Sequence, residues 1–387
     1  MNLLVVITFL NMALLGFMSS MKGVSFPLIK NSFNVSYDNM GLLNALVYLA
    51  AVCACISAGV FMHRFGLKKA VSAAFFLVIL GASSIYFASS FWMAVGFYLI
   101  LQTGFSFFEI SLNGVGIRVF IKKSALMMNL LHFFFGVGAI GGPRFMGFMV
   151  HQMGMNWQEV YPLALIAVFI LLVVTLLIRF PGKAEPAGSY TGSSFWIALK
   201  DPKVWFFGCI LGIACGLEGC NVVWSGLYLQ DVYGLDPSTA GAVFISAFFL
   251  VYTLSRLLSG FIIEKAGYIR SIFVAGLATL IILTAGFILG KKGIYLLPAV
   301  GFFIAVMWPI LMAISQGVFR ERAQTAFSAI ISITFTLNGL VQYSIGLYSR
   351  FLGPAWGYRS SVLYSAILVI MLLLLVRWNK SRGWMQS

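Results

Sequence analysis

Two stretches of the sequence carry the same pattern: GVFMHRFGLKK at residues 59–69 and GFIIEKAGYIR at residues 260–270. Each begins with a glycine, and after three further residues comes a histidine or an acid, directly followed by a base. A second glycine and a final basic residue follow in both stretches. Both stretches lie between two long apolar runs, so each predicts a tight turn between two membrane-crossing segments. The repetition indicates that the chain is built from two related halves.

The composition is that of a polytopic membrane protein. Of the 387 residues, 61% are hydrophobic and 9% are charged, and the mean hydropathy is +0.99. Such a chain has too few polar side chains to cover a water-soluble surface. Runs of about 20 apolar residues, the length a helix needs to cross a bilayer, predict twelve spans. We number them from predicted starts near Leu3, Gly41, Lys69, Trp92, Met127, Tyr161, Val204, Thr239, Ser271, Tyr295, Gln324 and Ser361.

The spans fall into two sets of six, which predicts an all-α membrane protein with two pseudo-symmetric six-helix bundles. Residues 181–202 form the long polar interruption between the sets, and their Gly, Pro, Ser and Lys are typical of a cytoplasmic linker. The predicted bundles are residues 1–180 and 203–387. Two further matches occur in the same order in both halves: Ile110–Val115 with Ile314–Val318, and Gly154-x2-Trp157 with Gly353-x2-Trp356.

The net charge of +15 reflects membrane topology. The basic residues are dispersed in short loops and form no continuous patch, which argues against nucleic acid as a partner. Most of them fall in loops on the side of the amino terminus, so the positive-inside rule predicts that both termini are cytoplasmic. Residues Met1–Met21 lack a basic start and a cleavage site and are interpreted as the first span. We expect a monomer in a cell membrane, and the compact loops suit a bacterial inner membrane.

Two acidic side chains, Glu109 and Glu218, fall inside the apolar spans. An ion at a helix centre costs ~2.5–3.5 kcal/mol on translocon scales, so such a residue usually faces a cavity and serves a substrate or a proton. Desolvation favours the neutral form of a carboxyl group, which makes both glutamates candidates for proton coupling. Lys22 and Arg144 also lie within spans and are predicted charge partners of the glutamates. The alternative is that these two cations bind an organic anion.

Polar and aromatic residues near the glutamates are candidate solute ligands. Asn113 lies four residues after Glu109, on the same helical face, and Asn221 lies three residues after Glu218. Aromatic rings cover the C–H faces of sugars, while amides and carboxylates bind hydroxyl groups. Packing or interhelical hydrogen bonding is the alternative role, and Trp308-Pro309 also predicts a kink in span 10. The predicted substrate-binding residues are Asn113, His132, Asn221, Trp224, Trp308, Asn338 and Gln342.

The repeated turns resemble a signature of the major facilitator superfamily, found between its second and third helices. In that family the charges of the turn hold a closed cytoplasmic gate. The first copy here has His63 where the family has an acid, whereas Glu264 supplies the acid in the second copy. The resemblance implies gating roles for Gly59, His63, Arg64, Gly66, Gly260, Glu264, Lys265, Gly267 and Arg270.

Within that superfamily, spans 4 and 5 resemble the fucose:proton symporter family and related hexose transporters. Residues Phe108–Asn113 are similar to the family's Leu-Glu-x3-Asn, and His132 stands in the similar span 5 motif Leu131–Ala139. The resemblance implies that Glu109 binds a proton or the sugar and that Asn113 binds the sugar. The family's acid in span 1 would fall near Gly23, but its neighbour here is the basic Lys22.

These observations predict a secondary active transporter that couples protons to a sugar or a similar polyhydroxylated solute by alternating access. The alternatives are a proton-coupled exporter of drugs or lipophilic cations, an organic anion transporter that uses Lys22 and Arg144, and a sensor that binds without translocation. The sequence contains no Walker-type loop, metal-ligand cluster or Ser/His/Asp set. It therefore predicts no enzymatic activity, cofactor or metal.

Overall fold

The computed structural model describes residues 3–120, 124–180 and 192–382. In this part of the chain, twelve helical segments are long and apolar enough to cross a membrane, which confirms the predicted number of spans. Spans 1 to 6 are Leu3–Phe33, Tyr37–Phe65, Leu67–Ile85, Phe91–Val119, Leu126–His151 and Trp157–Leu177. Spans 7 to 12 are Pro202–Tyr233, Pro237–Leu258, Tyr268–Ile288, Gly290–Phe319, Thr325–Leu352 and Pro354–Lys380.

The segment between the halves contains a short helix. Residues 181–191 of the predicted linker lie outside the described part of the chain, and Gly192–Ala198 form a short helix. Span 7 begins at Pro202, where Asp201 caps the helix by accepting a hydrogen bond from the Lys203 amide at 2.9 Å. Because the number of spans is even, both ends of the described chain lie at one face. We call it the terminal face, and the opposite one the distal face.

The repeated sequence pattern forms the same turn in both halves. Gly66 has φ 88° and Gly267 has φ 81°, a backbone conformation that favours glycine. Each glycine amide closes the preceding helix by donating to the carbonyl four residues earlier, Gly66 to Met62 at 2.8 Å and Gly267 to Ile263 at 2.9 Å. The pattern therefore encodes a tight connection on the terminal face, as the sequence predicts.

The first span of each half is interrupted at an equivalent depth. Span 1 breaks at Met21, between helices Leu3–Ser20 and Lys22–Phe33, and span 7 contains a π-helical turn at Cys220–Trp224. Met21 precedes Gly59 by the same number of residues as Val222 precedes Gly260. Such local irregularity is typical of functional positions in helices.

Span 10 is also interrupted, as the proline predicts. Short 3₁₀ turns lead to the helix Val300–Ile304, and a new helix begins at Met307, just before Trp308-Pro309. The first turn of a helix does not require an amide hydrogen from its residues, so proline is tolerated there. The break before Met307 places Pro309 in such a first turn.

The two halves pack closely in their distal parts, along spans 2 and 11 and along spans 5 and 8. A Cβ atom on Gly346 of span 11 would lie 2.6 Å from the carbonyl oxygen of Tyr37 in span 2. A Cβ atom on Gly147 of span 5 would lie 2.0 Å from the carbonyl oxygen of Ser238 in span 8. The helices meet at these points because glycine has no side chain.

Charged residues at the ends of the spans join the halves on the distal face. In the sequence these residues are recognisable only as loop or span-end residues. In the structure they form pairs between the two bundles. Tyr37 of span 2 also donates a hydrogen bond to the Asp231 carboxylate of span 7. The pairs are Arg350–Asp38 at 2.5 Å, His151–Asp236 at 3.0 Å and Lys30–Asp231 at 3.8 Å.

The terminal face differs from the distal face. The hydrogen bonds and ion pairs found between the halves among the described residues lie in the distal part of the bundle. A Cβ atom on Gly59 or Gly260 would meet nothing within 4 Å. The molecule is therefore closed at the distal face and open toward the terminal face.

The predicted gating residues lie around that opening. His63, Arg64, Lys265 and Arg270 are exposed, and the side chain of Glu264 lies outside the described part of the structure. Their predicted role in gating concerns a state in which the terminal face closes, so it stays a prediction.

We predict that Gly346→Ala destabilises this conformation, because the new methyl group must displace the backbone of span 2. Overpacking of this kind costs about 1–3 kcal/mol. The matched control is Gly96→Ala, since a Cβ atom on Gly96 meets nothing within 4 Å. Thermal unfolding of the purified variants should show a lower midpoint for Gly346→Ala than for Gly96→Ala. Equal midpoints would contradict the close approach of spans 2 and 11.

Candidate functional site

Three charged residues from both halves converge in the middle of the molecule. Glu109 of span 4 belongs to the first half, whereas Glu218 of span 7 and Arg256 of span 8 belong to the second. The Arg256 guanidinium is close enough to both carboxylates to interact with them electrostatically. The two carboxylates are also close enough to repel each other. Because Glu109 is close to charges of the other half and is also exposed, it faces the space between the bundles.

Tyr252 links two of these charges. Its hydroxyl donates a hydrogen bond to Glu218 Oε2 at 3.2 Å and accepts one from Arg256 Nη2 at 2.7 Å. The Arg256 guanidinium also lies 4.9 Å from the centroid of the Tyr252 ring. Tyr252 and Arg256 are four residues apart in span 8 and so share one helical face. The phenol therefore fixes the guanidinium beside Glu218.

Two predicted solute ligands lie near the charges. Asn113, one turn after Glu109, is half-buried, and its Oδ1 atom has no hydrogen-bond partner among the described residues. A buried amide oxygen without a partner is costly and is available to a hydroxyl group or to water. His132 of span 5 is half-buried and lies within charge–charge range of Arg256.

The predicted charge partners of the glutamates need correction. Among the described residues, no ion pair within 4 Å includes Lys22 or Arg144. Lys22 Nζ lies 5.4 Å from the ring centroid of Tyr48, and Tyr48 in turn lies near Glu218. Arg144 instead lines a separate cleft near the distal end of spans 5 and 8. Arg256 takes the role predicted for these cations, and Lys22 and Arg144 do not form one anion site.

Four predicted ligands of the second half are engaged with other protein groups in this conformation. Trp224 Nε1 donates to Gln342 Oε1 at 2.8 Å, and Gln342 Nε2 donates to the Asn338 side chain at 3.1 Å and to the Gly216 carbonyl at 3.0 Å. These three side chains are at most 3% exposed. They connect spans 7 and 11.

Asn221 has a similar structural position in the π-helical turn of span 7. It is fully buried, and its Oδ1 atom accepts a hydrogen bond from the Tyr358 hydroxyl of span 12 at 2.7 Å. Its Nδ2 atom donates to the Leu217 carbonyl at 2.8 Å. Asn221 thus makes an interhelical hydrogen bond in this conformation, which is the alternative that the sequence leaves open, and its ligand role stays a prediction. Trp308 is half-buried at the break in span 10.

Sequence reasoning missed three residues of the central cluster. Arg256 is visible in the sequence as a cation inside a span, but its position beside both glutamates depends on how spans 4, 7 and 8 meet. Tyr48 and Tyr252 carry no sequence signal beyond being tyrosines in apolar spans. The helical spacing of Tyr252 and Arg256 is the one feature that could have indicated a shared face.

Comparisons with known proteins agree with this architecture. An uncharacterised MFS-type transporter of Yersinia pestis is 23% identical over 249 residues, which are 62% of this chain and 61% of that protein. The nucleoside transporter NupG superposes with a TM-score of 0.79 at 14% identity, over 97% of this chain and 100% of that one. The fucose:proton symporter FucP of E. coli gives a TM-score of 0.66 at 16% identity, over 99% and 98% of the two chains.

A bacterial homologue of the human lysosomal transporter Spinster, in an inward-facing and unoccupied conformation, is also similar. Its TM-score is 0.74 at 17% identity, over 97% of this chain and 96% of that one. The family model of the Major Facilitator Superfamily matches residues 8–343. With twelve spans in two six-helix bundles and a charged cluster between them, the chain belongs to the Major Facilitator Superfamily, whose members are transporters and not enzymes.

Proposed function

We propose that the protein is a proton-coupled symporter of a neutral, polyhydroxylated solute such as a sugar. The observation that carries this proposal is the convergence of Glu109, Glu218 and Arg256 between the two halves. Alternating access in this family places the solute where the bundles meet. A proton-binding group at that position is exposed to each side of the membrane in turn.

The charge of the cluster explains why a proton would be needed. Two carboxylates and one guanidinium carry a net negative charge when all are ionised, and one bound proton makes the cluster neutral. Enclosing an uncompensated charge in a sealed site is unfavourable, whereas a neutral, hydrogen-bonded site is tolerated. Protonation would therefore allow the loaded transporter to close around its solute.

Glu109 is the proposed proton carrier and also a solute ligand. It is the exposed member of the carboxylate pair, whereas Glu218 is already held by Tyr252. The unpartnered Asn113 Oδ1 atom and the half-buried His132 add hydrogen-bonding groups for hydroxyls. The ring of the half-buried Tyr48 offers a face for the C–H groups of the solute.

In the second conformation of the proposed transport cycle, the contacts at the distal face are broken. Opening that face requires separation of the pairs around Asp38, Asp231 and Asp236, while the terminal face closes over the cluster. We place the terminal face in the cytoplasm, as the basic loops predict. In that orientation the conformation seen here faces the cytoplasm and is the one from which an imported solute leaves.

We predict that Glu109→Gln separates solute exchange from proton movement. Glutamine keeps a hydrogen-bonding group but cannot release a proton, so exchange of labelled solute across the membrane should continue while solute-driven acidification stops. The measurement uses proteoliposomes with an internal pH dye and a panel of hexoses, pentoses and nucleosides.

The matched control is Glu159→Gln, because Glu159 caps span 6 on the distal face by accepting the Asn156 amide at 2.8 Å. Glutamine also serves in this capping position, so acidification should be retained. Undiminished acidification in Glu109→Gln would remove Glu109 as the proton carrier. No acidification by the wild type with any solute of the panel would contradict proton-coupled symport.

We predict that Arg256→Gln lowers the thermal stability of the protein, because both carboxylates lose their compensating cation. Loss of such a partner costs about 1–3 kcal/mol. The double variant Glu218→Gln/Arg256→Gln should recover part of that loss, as expected for residues that interact directly. The exposed Arg270→Gln is the control for loss of a positive charge. Additive effects of the two single substitutions would show that Arg256 and Glu218 do not interact.

The excess of negative charge also favours a second candidate, an exporter of lipophilic cations. In that case the cation and the proton would compete for the same carboxylates. Binding of a lipophilic cation that weakens at low pH, with no response to sugars or nucleosides, would support the exporter over the symporter.

A further inference from the structure

Asn44 of span 2 is a buried amide that the surrounding side chains and backbone leave unbonded. Its side chain is fully buried, and neither Oδ1 nor Nδ2 has a hydrogen-bond partner among the described residues. It is the one side chain in this part of the chain with two such atoms. Burying an amide without hydrogen bonds costs free energy, so most buried amides in native proteins are paired. The position of Asn44 in the fold indicates where its partner comes from.

Asn44 lies on the face of span 2 that meets the second half. A Cβ atom on Gly41, one turn before Asn44, would lie 3.0 Å from the carbonyl oxygen of Tyr343 in span 11. A Cβ atom on Gly339 of span 11 would lie 3.3 Å from the Cβ atom of Tyr48, one turn after Asn44. Residues three and four apart share a helical face. Asn44 therefore lies in the contact that separates when the distal face opens.

The depth of Asn44 places it between the distal face and the central cluster. It lies seven residues after the start of span 2 at Tyr37, or about 10 Å along the helix axis. One turn deeper, the Tyr48 hydroxyl would lie 3.2 Å from a Cβ atom on Gly219, the residue next to Glu218. A solute that enters through an opened distal face thus passes Asn44 before it reaches Tyr48 and Glu218.

The equivalent position in the second half is apolar. The repeated turns align Gly59 with Gly260, which aligns Asn44 with Ile245 of span 8. Ile245 is fully buried and packs against the break in span 1, where its Cδ1 atom would lie 2.6 Å from a Cβ atom on Gly23. An aliphatic side chain fills this position in the second half, so packing between the halves does not by itself require an amide.

We propose that Asn44 is a solute ligand of the conformation in which the distal face is open. When spans 2 and 11 separate, its amide becomes accessible and can both donate to and accept from hydroxyl groups. The solute class is that of the proposed function, on which this inference rests. Once the distal face closes, the amide is enclosed without a partner, and this cost favours reopening of that face.

The test compares solute entry from the two sides of the membrane in Asn44→Ala and Asn44→Ser. Radiolabelled fucose, xylose and uridine are added to right-side-out vesicles, which expose the distal face in the proposed orientation, and to inverted vesicles. For the transported probe, the KM from the distal side should rise about tenfold in Asn44→Ala, as for loss of one or two hydrogen bonds. From the terminal side it should be unchanged or lower.

The serine variant separates hydrogen bonding from packing. Alanine and serine are nearly equal in volume, but serine keeps a hydroxyl group that can bond to the solute. The KM of Asn44→Ser from the distal side should therefore lie between those of the wild type and Asn44→Ala. Equal values for the two variants would contradict a hydrogen bond to the solute.

The matched control is Asn11→Ala in span 1. Asn11 is also fully buried, but its Nδ2 atom donates to Thr175 Oγ1 at 3.1 Å within the first half. Both alanine variants lose the same atoms, and only Asn11→Ala breaks a hydrogen bond of the present conformation. Its thermal unfolding midpoint should be the lower of the two, and its KM from the distal side should equal that of the wild type.

Two results would overturn the proposal. One is a KM of Asn44→Ala that is unchanged from the distal side or that rises equally from both sides. The other is a midpoint of Asn44→Ala at or below that of Asn11→Ala, because Asn44 would then be bonded in the present conformation. Failure of the proposed function is distinguishable, because the wild type itself would then transport none of the probes.

Discussion

A charge inside a bundle of membrane helices must have a partner or water, and this constraint governs the centre of the protein. Glu109 and Glu218 share one guanidinium, that of Arg256, and Tyr252 connects two of the three. Because Glu109 belongs to one half and the other residues to the second, their spacing changes whenever the bundles move. The electrostatic balance of the cluster is thereby linked to the conformation of the whole molecule.

The contacts at the distal face also depend on how the two halves are arranged. Close glycine contacts, two ion pairs and the contact of His151 with Asp236 hold the halves together at one face, while the cluster stays accessible from the opposite face. These distal ion pairs are near the surface, where each is worth little on its own. Several weak contacts acting together suit a gate that must open and close. A permanently joined interface would be expected to be larger and more apolar.

The sequence predicts the spans, the two halves and the turns at Gly66 and Gly267, because hydrophobic runs and glycine positions are local signals. It also identifies both glutamates, since a carboxylate within an apolar run is conspicuous. It does not identify Arg256 as their partner, because that depends on which helices meet across the halves. Asn221 and similar polar residues in spans give the same signal whether they bind a solute or a neighbouring helix. Arg350 and Asp38 lie 312 residues apart, so no local pattern pairs them.

The central claim is that protonation of the carboxylate pair allows the site to close. Double electron–electron resonance between spin labels, one pair at each face, measures this directly in the wild type and in Glu109→Gln, which leaves the neutral pair of Glu218 and Arg256. In the wild type, lowering the pH should raise the fraction of molecules in which both faces are closed, and in Glu109→Gln this fraction should be high and independent of pH. The same pH dependence in both proteins, or none in the wild type, would contradict the account. The labels replace Trp92 and Lys292 on the distal face and Lys69 and Arg270 on the terminal face.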